Sequence, residues 1–277
     1  MPELVLYFIT ALLYVALAVF AWSKIPQPPV TTPVLSAPAP QQARQQWLLP
    51  VVLVLHAWLL LRDMLGGVGF NLNLGTALSL IVWLTVLIYW IESYWVPVGA
   101  LQNLILPFAA FFVLLPYFMP SQHVLTYAGM SMFKAHLAIS MLAYGLLTIA
   151  ALHALLLSIL EKRLHEGSLP LPLGDLPPLM VLERLTFRIL AAGFVLLTLT
   201  LASGVGFSEA LFGKPFQVTH KVIFGFIAWL IFGLLLLGRH FWGWRGRVAV
   251  RWLLSGFAFL LLAYLGSKFV LEVVLHR

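Results

Sequence analysis

The chain has 277 residues, of which 62% are hydrophobic and 9% are charged, and its mean hydropathy is +1.01. A soluble domain carries about 25% charged residues, so this composition excludes an ordinary soluble enzyme and predicts a polytopic, all-α membrane protein. The chain has no cysteine, which excludes disulfides, thiolate metal sites and thiol redox chemistry. The net charge is +7, and the charged residues lie mostly between apolar stretches. There they set the topology and contact lipid headgroups, so a nucleic-acid partner is not expected.

Eight apolar stretches follow one another along what we expect to be a single integral membrane domain, residues 1–277. They are predicted at 4–22, 47–61, 74–91, 98–118, 134–163, 182–206, 218–238 and 252–271. The first lacks the basic flank and cleavage site of a signal peptide and is expected to be a retained span. Residues 26–46, rich in Pro, Ala and Gln, are expected to form a flexible connection. Pro107 and Pro116 are expected to kink or end the fourth span.

Lys and Arg are unequally divided between the two sides of this arrangement. Ten of the sixteen fall in or beside the loops that follow odd-numbered spans, and six fall on the other side. The positive-inside rule therefore predicts that both termini lie outside the cytoplasm, which in a bacterium means the periplasm.

Histidines mark the candidate functional positions, because ionisable groups inside a membrane are costly and the imidazole is a common haem or metal ligand. With the predicted topology, His136 in the fifth span, His220 in the seventh and His56 in the second fall at a similar, outer level. Two imidazoles from facing helices suit a bis-histidine haem, and equally another metal. His153 lies about 25 Å further along the fifth helix than His136. Each histidine could instead be a packing residue that hydrogen-bonds between helices.

Cations accompany these histidines at the outer ends of their spans. Lys134 and Lys221 could pair with the propionates of a haem, or they could extend to lipid headgroups. The carboxylates nearest to this level, Asp63 and Glu209, are expected in loops. A hydrolytic zinc site with a carboxylate base is therefore disfavoured.

Several segments resemble a known family. The run from His136 to Tyr144, HLAISMLAY, resembles a helix of the cytochrome c assembly family of haem-handling membrane proteins (CcmC and CcsA type). Residues 183–204 and 263–272 are similar to later helices of that family. Residues 177–184, the His220-Lys221 pair and residues 243–247 resemble a bacterial inner-membrane subgroup, the YpjD type. The resemblance is strong from residue 134 onward, and it implies an inner-membrane protein in which His136 matches a haem ligand.

The chain also departs from the family pattern. Haem-presenting members carry a tryptophan-rich segment, whereas the matching residues 206–219 contain no Trp. The family's intramembrane histidine would match Leu237 or Gly238, and its second outer ligand falls near His276. The resemblance therefore implies haem binding or passage more than haem delivery to an apocytochrome.

These observations favour a non-enzymatic protein that handles or transports haem in cytochrome maturation. We expect haem b, with His136 as one axial ligand, His220 as the best candidate for the other and His56 in reserve, and with the bilayer and other membrane proteins as further partners. The alternative is an accessory or scaffold subunit of a membrane transporter complex, with structural histidines. An enzyme that uses histidine acid–base chemistry ranks last, because the sequence shows no carboxylate paired with a histidine.

Overall fold

The computed structural model describes residues 2–22, 40–66, 70–96, 98–119, 130–165, 178–206, 208 and 217–266. Over these ranges the chain forms α1 (Pro2–Trp22), α2 (Pro40–Leu65), α3 (Leu74–Glu92), α4 (Gly99–Phe112), α5 (Leu115–Phe118), α6 (Ser131–His165), α7 (Leu179–Gly206), α8 (His220–Trp242) and α9 (Gly246–Leu261). A π-helical turn, Leu262–Gly266, continues α9. Within the described ranges, eight stretches are long and apolar enough to cross a membrane, with α4 and α5 counted as one. The predicted all-α, eight-span fold is confirmed.

Two helices begin about six or seven residues earlier than predicted. α2 starts at Pro40, so residues 40–46 of the expected flexible connection are helical, while 26–39 lie outside the described residues. The segment is rich in Gln, Ala and Arg, which are good helix formers, and proline is tolerated in a first turn. α9 starts at Gly246 rather than near residue 252, after a tight turn in which Gly243 and Gly246 adopt φ of 64° and 55°. Positive φ values of this kind favour glycine over any residue with a Cβ.

The fourth span is interrupted, as its prolines predict. The two prolines occupy different positions relative to the break. Pro107 lies inside α4, which ends at Phe112. α5 begins at Leu115, with Pro116 in its first turn. Proline fits a first turn because the backbone N–H that it lacks has no partner within the helix there.

α6 is the central helix and contacts α3, α4, α7 and α9. A Cβ added at Gly145 of α6 would lie 2.9 Å from Leu84 Cβ of α3. Eight residues further along both helices, His153 and Glu92 meet, so α3 and α6 run parallel. That direction agrees with their predicted places as the third and fifth spans.

α7, α8 and α9 run alternately against one another. Trp229 of α8 donates a hydrogen bond of 2.8 Å to Thr198 Oγ1 of α7, and one turn later a Cβ at Gly233 would lie 3.4 Å from the Phe194 ring. The residue numbers of the contacts in α7 fall as those in α8 rise, so α7 and α8 are antiparallel. The start of α6, the end of α7, the start of α8 and the π turn after α9 therefore share one end of the bundle, which we call the His136 end.

Candidate haem site at the His136 end

His136 is half-buried near the start of α6 and is held by the last turns of α7. Its Nδ1 lies 2.8 Å from Ser203 Oγ. The same hydroxyl lies 3.1 Å from the Thr200 carbonyl. A hydroxyl has one hydrogen and a carbonyl only accepts, so Ser203 donates to Thr200 and accepts from His136 Nδ1–H. This arrangement leaves the imidazole lone pair on Nε2.

The tautomer of His136 is the one that a metal-binding histidine usually adopts. Such a histidine binds through one nitrogen and donates its other N–H to a fixed acceptor, which orients the ring. Close packing adds to this constraint, because a Cβ at Gly204 would lie 3.6 Å from His136 Cε1. Ser203 and Gly204 therefore position the ring from α7. In the sequence these two residues stand out only as part of a segment that resembles the family, and the one local signal is a small polar residue close to the end of a span.

Lys221, the second residue of α8, belongs to the same cluster as His136. Lys221 and His136 both lie at the His136 end of the bundle, near the starts of their helices. Lys221 Nζ lies 5.6 Å from the centre of the Tyr264 ring in the π turn, a distance typical of a cation–π contact. Tyr264 in turn packs against Tyr144 of α6, with ring centres 5.5 Å apart. Four elements thus contribute to one cluster that combines an imidazole, an ammonium group and aromatic rings.

An apolar cavity of about 290 Å³ extends from these two tyrosines between α3, α4, α6 and α9. Its wall includes Ile105, Phe108 and Phe257 beside Tyr144 and Tyr264. A cavity with so little polar lining can accept apolar groups of a ligand or a lipid chain, but it offers few hydrogen bonds.

The other predicted site residues at this level are less closely associated with His136. His220 is the first residue of α8 and is exposed, so the structure puts it at the same end without recording a contact between the two rings. Lys134 is also exposed. It precedes His136 by two residues, and positions two apart on a helix point about 200° apart, so its side chain leaves α6 on the opposite face.

His56 lies elsewhere, in the contact between α1, α2 and α3. It is fully buried, with Nδ1 3.1 Å from the Tyr14 hydroxyl and Nε2 2.9 Å from Ser79 Oγ. Both ring nitrogens are therefore engaged by hydroxyls, and either would have to break its hydrogen bond to reach an iron. The arrangement is the interhelical packing that the sequence left open for this residue.

The opposite end of the bundle is organised by ion pairs. Arg239 of α8 donates to Glu183 of α7 and to the Trp244 carbonyl, and Arg247 of α9 lies 3.4 Å from Glu161 of α6. A cavity of about 230 Å³ lies between these two carboxylates. Because each carboxylate already has an arginine partner, this cluster is best explained as a structural connection between α6, α7, α8 and α9.

Comparison with known proteins adds the family. Residues 48–275 match the family described as Cytochrome C assembly protein. The chain is similar to the inner membrane protein YpjD of Escherichia coli (strain K12), at 33% identity over 230 residues, which are 81% of this chain and 85% of that protein. It is also similar to an uncharacterized 28.8 kDa protein of Azospirillum brasilense, at 36% identity over 141 residues, 50% of this chain and 52% of that protein.

A shorter match extends to a protein named for cytochrome c biogenesis. The chain is 37% identical over 95 residues to the cytochrome c biogenesis protein CcsA of Prochlorococcus marinus (strain MIT 9515), which is 34% of this chain and 30% of that protein. The family match covers more than half of the chain. The match to the inner membrane protein from E. coli covers most of both chains. The chain therefore belongs to the cytochrome c assembly protein family and is a multi-pass inner-membrane protein.

Proposed function

We propose that this protein binds haem b at the His136 end of its helical bundle, with His136 Nε2 as one axial ligand of the iron. The observation that carries the proposal is the hydrogen-bond chain from His136 Nδ1–H to Ser203 and on to the Thr200 carbonyl. This chain fixes the tautomer and the orientation of the ring. Family membership and the relative named for cytochrome c biogenesis support haem as the group that is bound.

The neighbours of His136 suit the other parts of a haem. Lys221 supplies an ammonium group that can pair with a propionate, and Tyr264 supplies an aromatic surface beside it. His220 begins the same helix at the same end, so we propose it as the second axial ligand. Lys134 lies on the other face of α6, and His56 is engaged by Tyr14 and Ser79, so neither is given a role in binding.

We propose that the protein's role is haem handling during cytochrome c assembly, without a covalent step of its own. Bound haem would supply a redox-active iron and an intense absorption band, while the chain's own residues hold and orient the group. The absence of Trp from residues 206–219 favours binding over presentation to an apocytochrome.

The absorption spectrum of the full-length protein, purified in detergent from cells supplied with haem, tests the proposal. We expect a Soret band, a pyridine haemochrome spectrum of haem b, and loss of the band in His136→Ala. The matched control is His240→Ala, since His240 is an exposed histidine near the opposite end of α8 and its variant should keep the band. A Soret band retained in His136→Ala would reject this ligand.

The scaffold alternative draws on a different observation, the fully hydrogen-bonded His56. If the other histidines are also structural, the purified protein stays colourless when titrated with haem and copurifies with a stoichiometric membrane partner. That pair of results would favour an accessory subunit of a transporter complex over a haem-binding protein.

A further inference from the structure

A pair of ionisable side chains, Glu92 and His153, lies inside the bundle, away from the His136 end. Glu92 is the last residue of α3 and His153 lies midway along α6. The two side chains are 9% and 0% exposed, and Glu92 Oε2 lies 3.6 Å from His153 Nε2. Within the described part of the chain, neither carboxyl oxygen of Glu92 nor His153 Nε2 has a hydrogen-bond partner. His153 is a candidate from the sequence, whereas the carboxylate that accompanies it, Glu92, was not predicted.

The other nitrogen of His153 determines what this side chain offers to Glu92. His153 Nδ1 lies 3.0 Å from the Ile149 carbonyl. A carbonyl only accepts, so Nδ1 carries a hydrogen. His153 Nε2 therefore either presents a lone pair to the carboxyl group or carries a second proton.

Charge balance determines how many protons the pair holds. With no proton between them, an ionised carboxylate is buried without a compensating charge. With two protons, a buried imidazolium is left uncompensated. Both states are strongly disfavoured away from water, whereas one proton leaves the pair with zero net charge.

Among the residues that the structure describes, the surroundings supply no other charge to the pair. Tyr89, one turn earlier on α3, donates to Gln102 of α4 at 3.1 Å, and both are neutral groups. Glu161 of α6 and Glu183 of α7, which lie at the same end of the bundle, are paired with arginines. Among the described residues no Lys or Arg lies within ion-pair distance of Glu92, whose recorded partner is His153.

The distance indicates which of the two groups carries the single proton. A charge-assisted N–H···O bond measures about 2.7–2.9 Å, and the observed separation of 3.6 Å is longer than that. Separated opposite charges are costly when buried. A protonated carboxyl beside a neutral imidazole avoids this cost, because neither group then carries a charge.

We propose that Glu92 is a neutral carboxylic acid and that Glu92 and His153 together form a proton-binding site inside the helical bundle. When the proton moves, the carboxyl O–H bond breaks as an N–H bond forms at His153 Nε2, so the net charge of the pair stays at zero. Such carboxylate–histidine pairs are the elements of intramembrane proton relays. α3 ends at Glu92, and Tyr94 and Trp95 just beyond it are exposed, so the pair lies close to the end of the bundle opposite the His136 end.

Infrared spectroscopy of the full-length protein in detergent, free of haem and near neutral pH, tests the proposal. We expect a carbonyl stretching band of a protonated carboxylic acid that moves when H₂O is replaced by D₂O. The difference between wild type and Glu92→Gln should contain this band, because the substitution removes the carboxylic acid. Glutamine keeps the shape of the side chain and can donate an N–H to His153. The chain has only nine Asp and Glu residues, so the difference spectrum assigns the band.

Two further variants complete the test. Glu161→Gln is the matched control, since Glu161 pairs with Arg247, and the band should remain in this variant. In His153→Leu the band should persist and shift to higher frequency, because the carboxyl loses its acceptor. Absence of the band in the wild type, or its retention in Glu92→Gln, would overturn the proposal. So would a stoichiometric divalent metal, found by elemental analysis in the wild type and lost in Glu92→Gln, because the pair would then bind a metal ion.

Discussion

The histidines of the membrane spans differ in what their ring nitrogens contact. His56 has a hydroxyl on each nitrogen, His136 donates Nδ1–H to Ser203, and His153 donates Nδ1–H to a carbonyl while its Nε2 faces Glu92. The first pattern is that of a packing residue. The second directs a lone pair away from the fixed hydrogen bond, and the third directs it at an acid. The same side chain therefore serves three purposes, and the partner on the neighbouring helix determines which one.

Ser203 is the residue that orients His136, and its removal should weaken haem binding without abolishing it. In Ser203→Ala, His136 Nδ1–H loses its acceptor and the ring can rotate. Loss of such an orienting partner typically costs 10–100-fold in metal affinity, so we expect a loss of roughly that size. Titration of the haem-free protein with haem, followed at the Soret band, measures it. Ser203→Thr keeps the hydroxyl and serves as the control, and an alanine variant with wild-type affinity would contradict the proposed role.

Lys221 and Lys134 are both exposed lysines near His136, which makes them a matched pair. Lys221 lies 5.6 Å from the centre of the Tyr264 ring at the His136 end, whereas Lys134 leaves the opposite face of α6. We expect Lys221→Gln to weaken haem binding by about fivefold or less, the range of an exposed ion pair, and the difference to shrink at high salt. Lys134→Gln should bind haem as the wild type does. Equal effects of the two substitutions in the same titration would argue against a specific propionate contact.

At the scale of the helices, small residues set how closely α6 approaches its neighbours. A Cβ at Gly193 of α7 would lie 2.9 Å from Leu147 Cδ2 of α6, so the Leu147 side chain packs into the space that a larger residue at position 193 would need. Glycine is poor for an isolated helix, and its use here indicates that packing between α6 and α7 outweighs helix propensity. That packing also aligns the end of α7, with Ser203, against the start of α6.

A larger residue at Gly193 should separate α6 from α7. We expect Gly193→Val to lower the free energy of unfolding by about 1–3 kcal/mol, the usual cost of overpacking. The variant should also weaken haem binding through displacement of Ser203. The control lies on the same helix, because a Cβ at Gly206 would meet nothing within 4 Å. Thermal unfolding in detergent compares the two variants, and a Gly193→Val protein as stable as Gly206→Val would show that the contact does not constrain the helices.

For the whole molecule, local properties of the sequence predicted the architecture, and partners distant in the sequence decided the site. Apolar length and charge bias are local, so the eight spans and the shared level of the starts of α6 and α8 followed from them. Ser203 lies 67 residues from His136, and Glu92 contacts His153 from another helix. Such pairings depend on how the helices rotate and pack, which no single span encodes. The start of α2 was missed because a Pro- and Gln-rich composition suits both a linker and a first helical turn.

The positions of His56 and His136 predict that a substitution can lower the stability of the protein without changing its haem binding. His56 joins α1, α2 and α3, whereas the proposed site is built from α6, α7, α8 and the turn after α9. His56→Phe leaves the buried hydroxyls of Tyr14 and Ser79 without their partner, at about 1–3 kcal/mol for each unsatisfied group. We therefore expect a lower melting temperature with an unchanged Soret band and unchanged haem affinity.

The control for that variant is His56→Gln, which keeps donor and acceptor groups and should lose less stability. Because the two histidines lie in different groups of helices, the stability loss of His56→Phe should also add to that of His136→Ala in the double variant, as it does for independent sites. The opposite outcome is equally informative. A His56→Phe protein with a wild-type melting temperature and no Soret band would make His56 an iron ligand, and its hydrogen bonds to Tyr14 and Ser79 would then belong to a state that haem binding breaks.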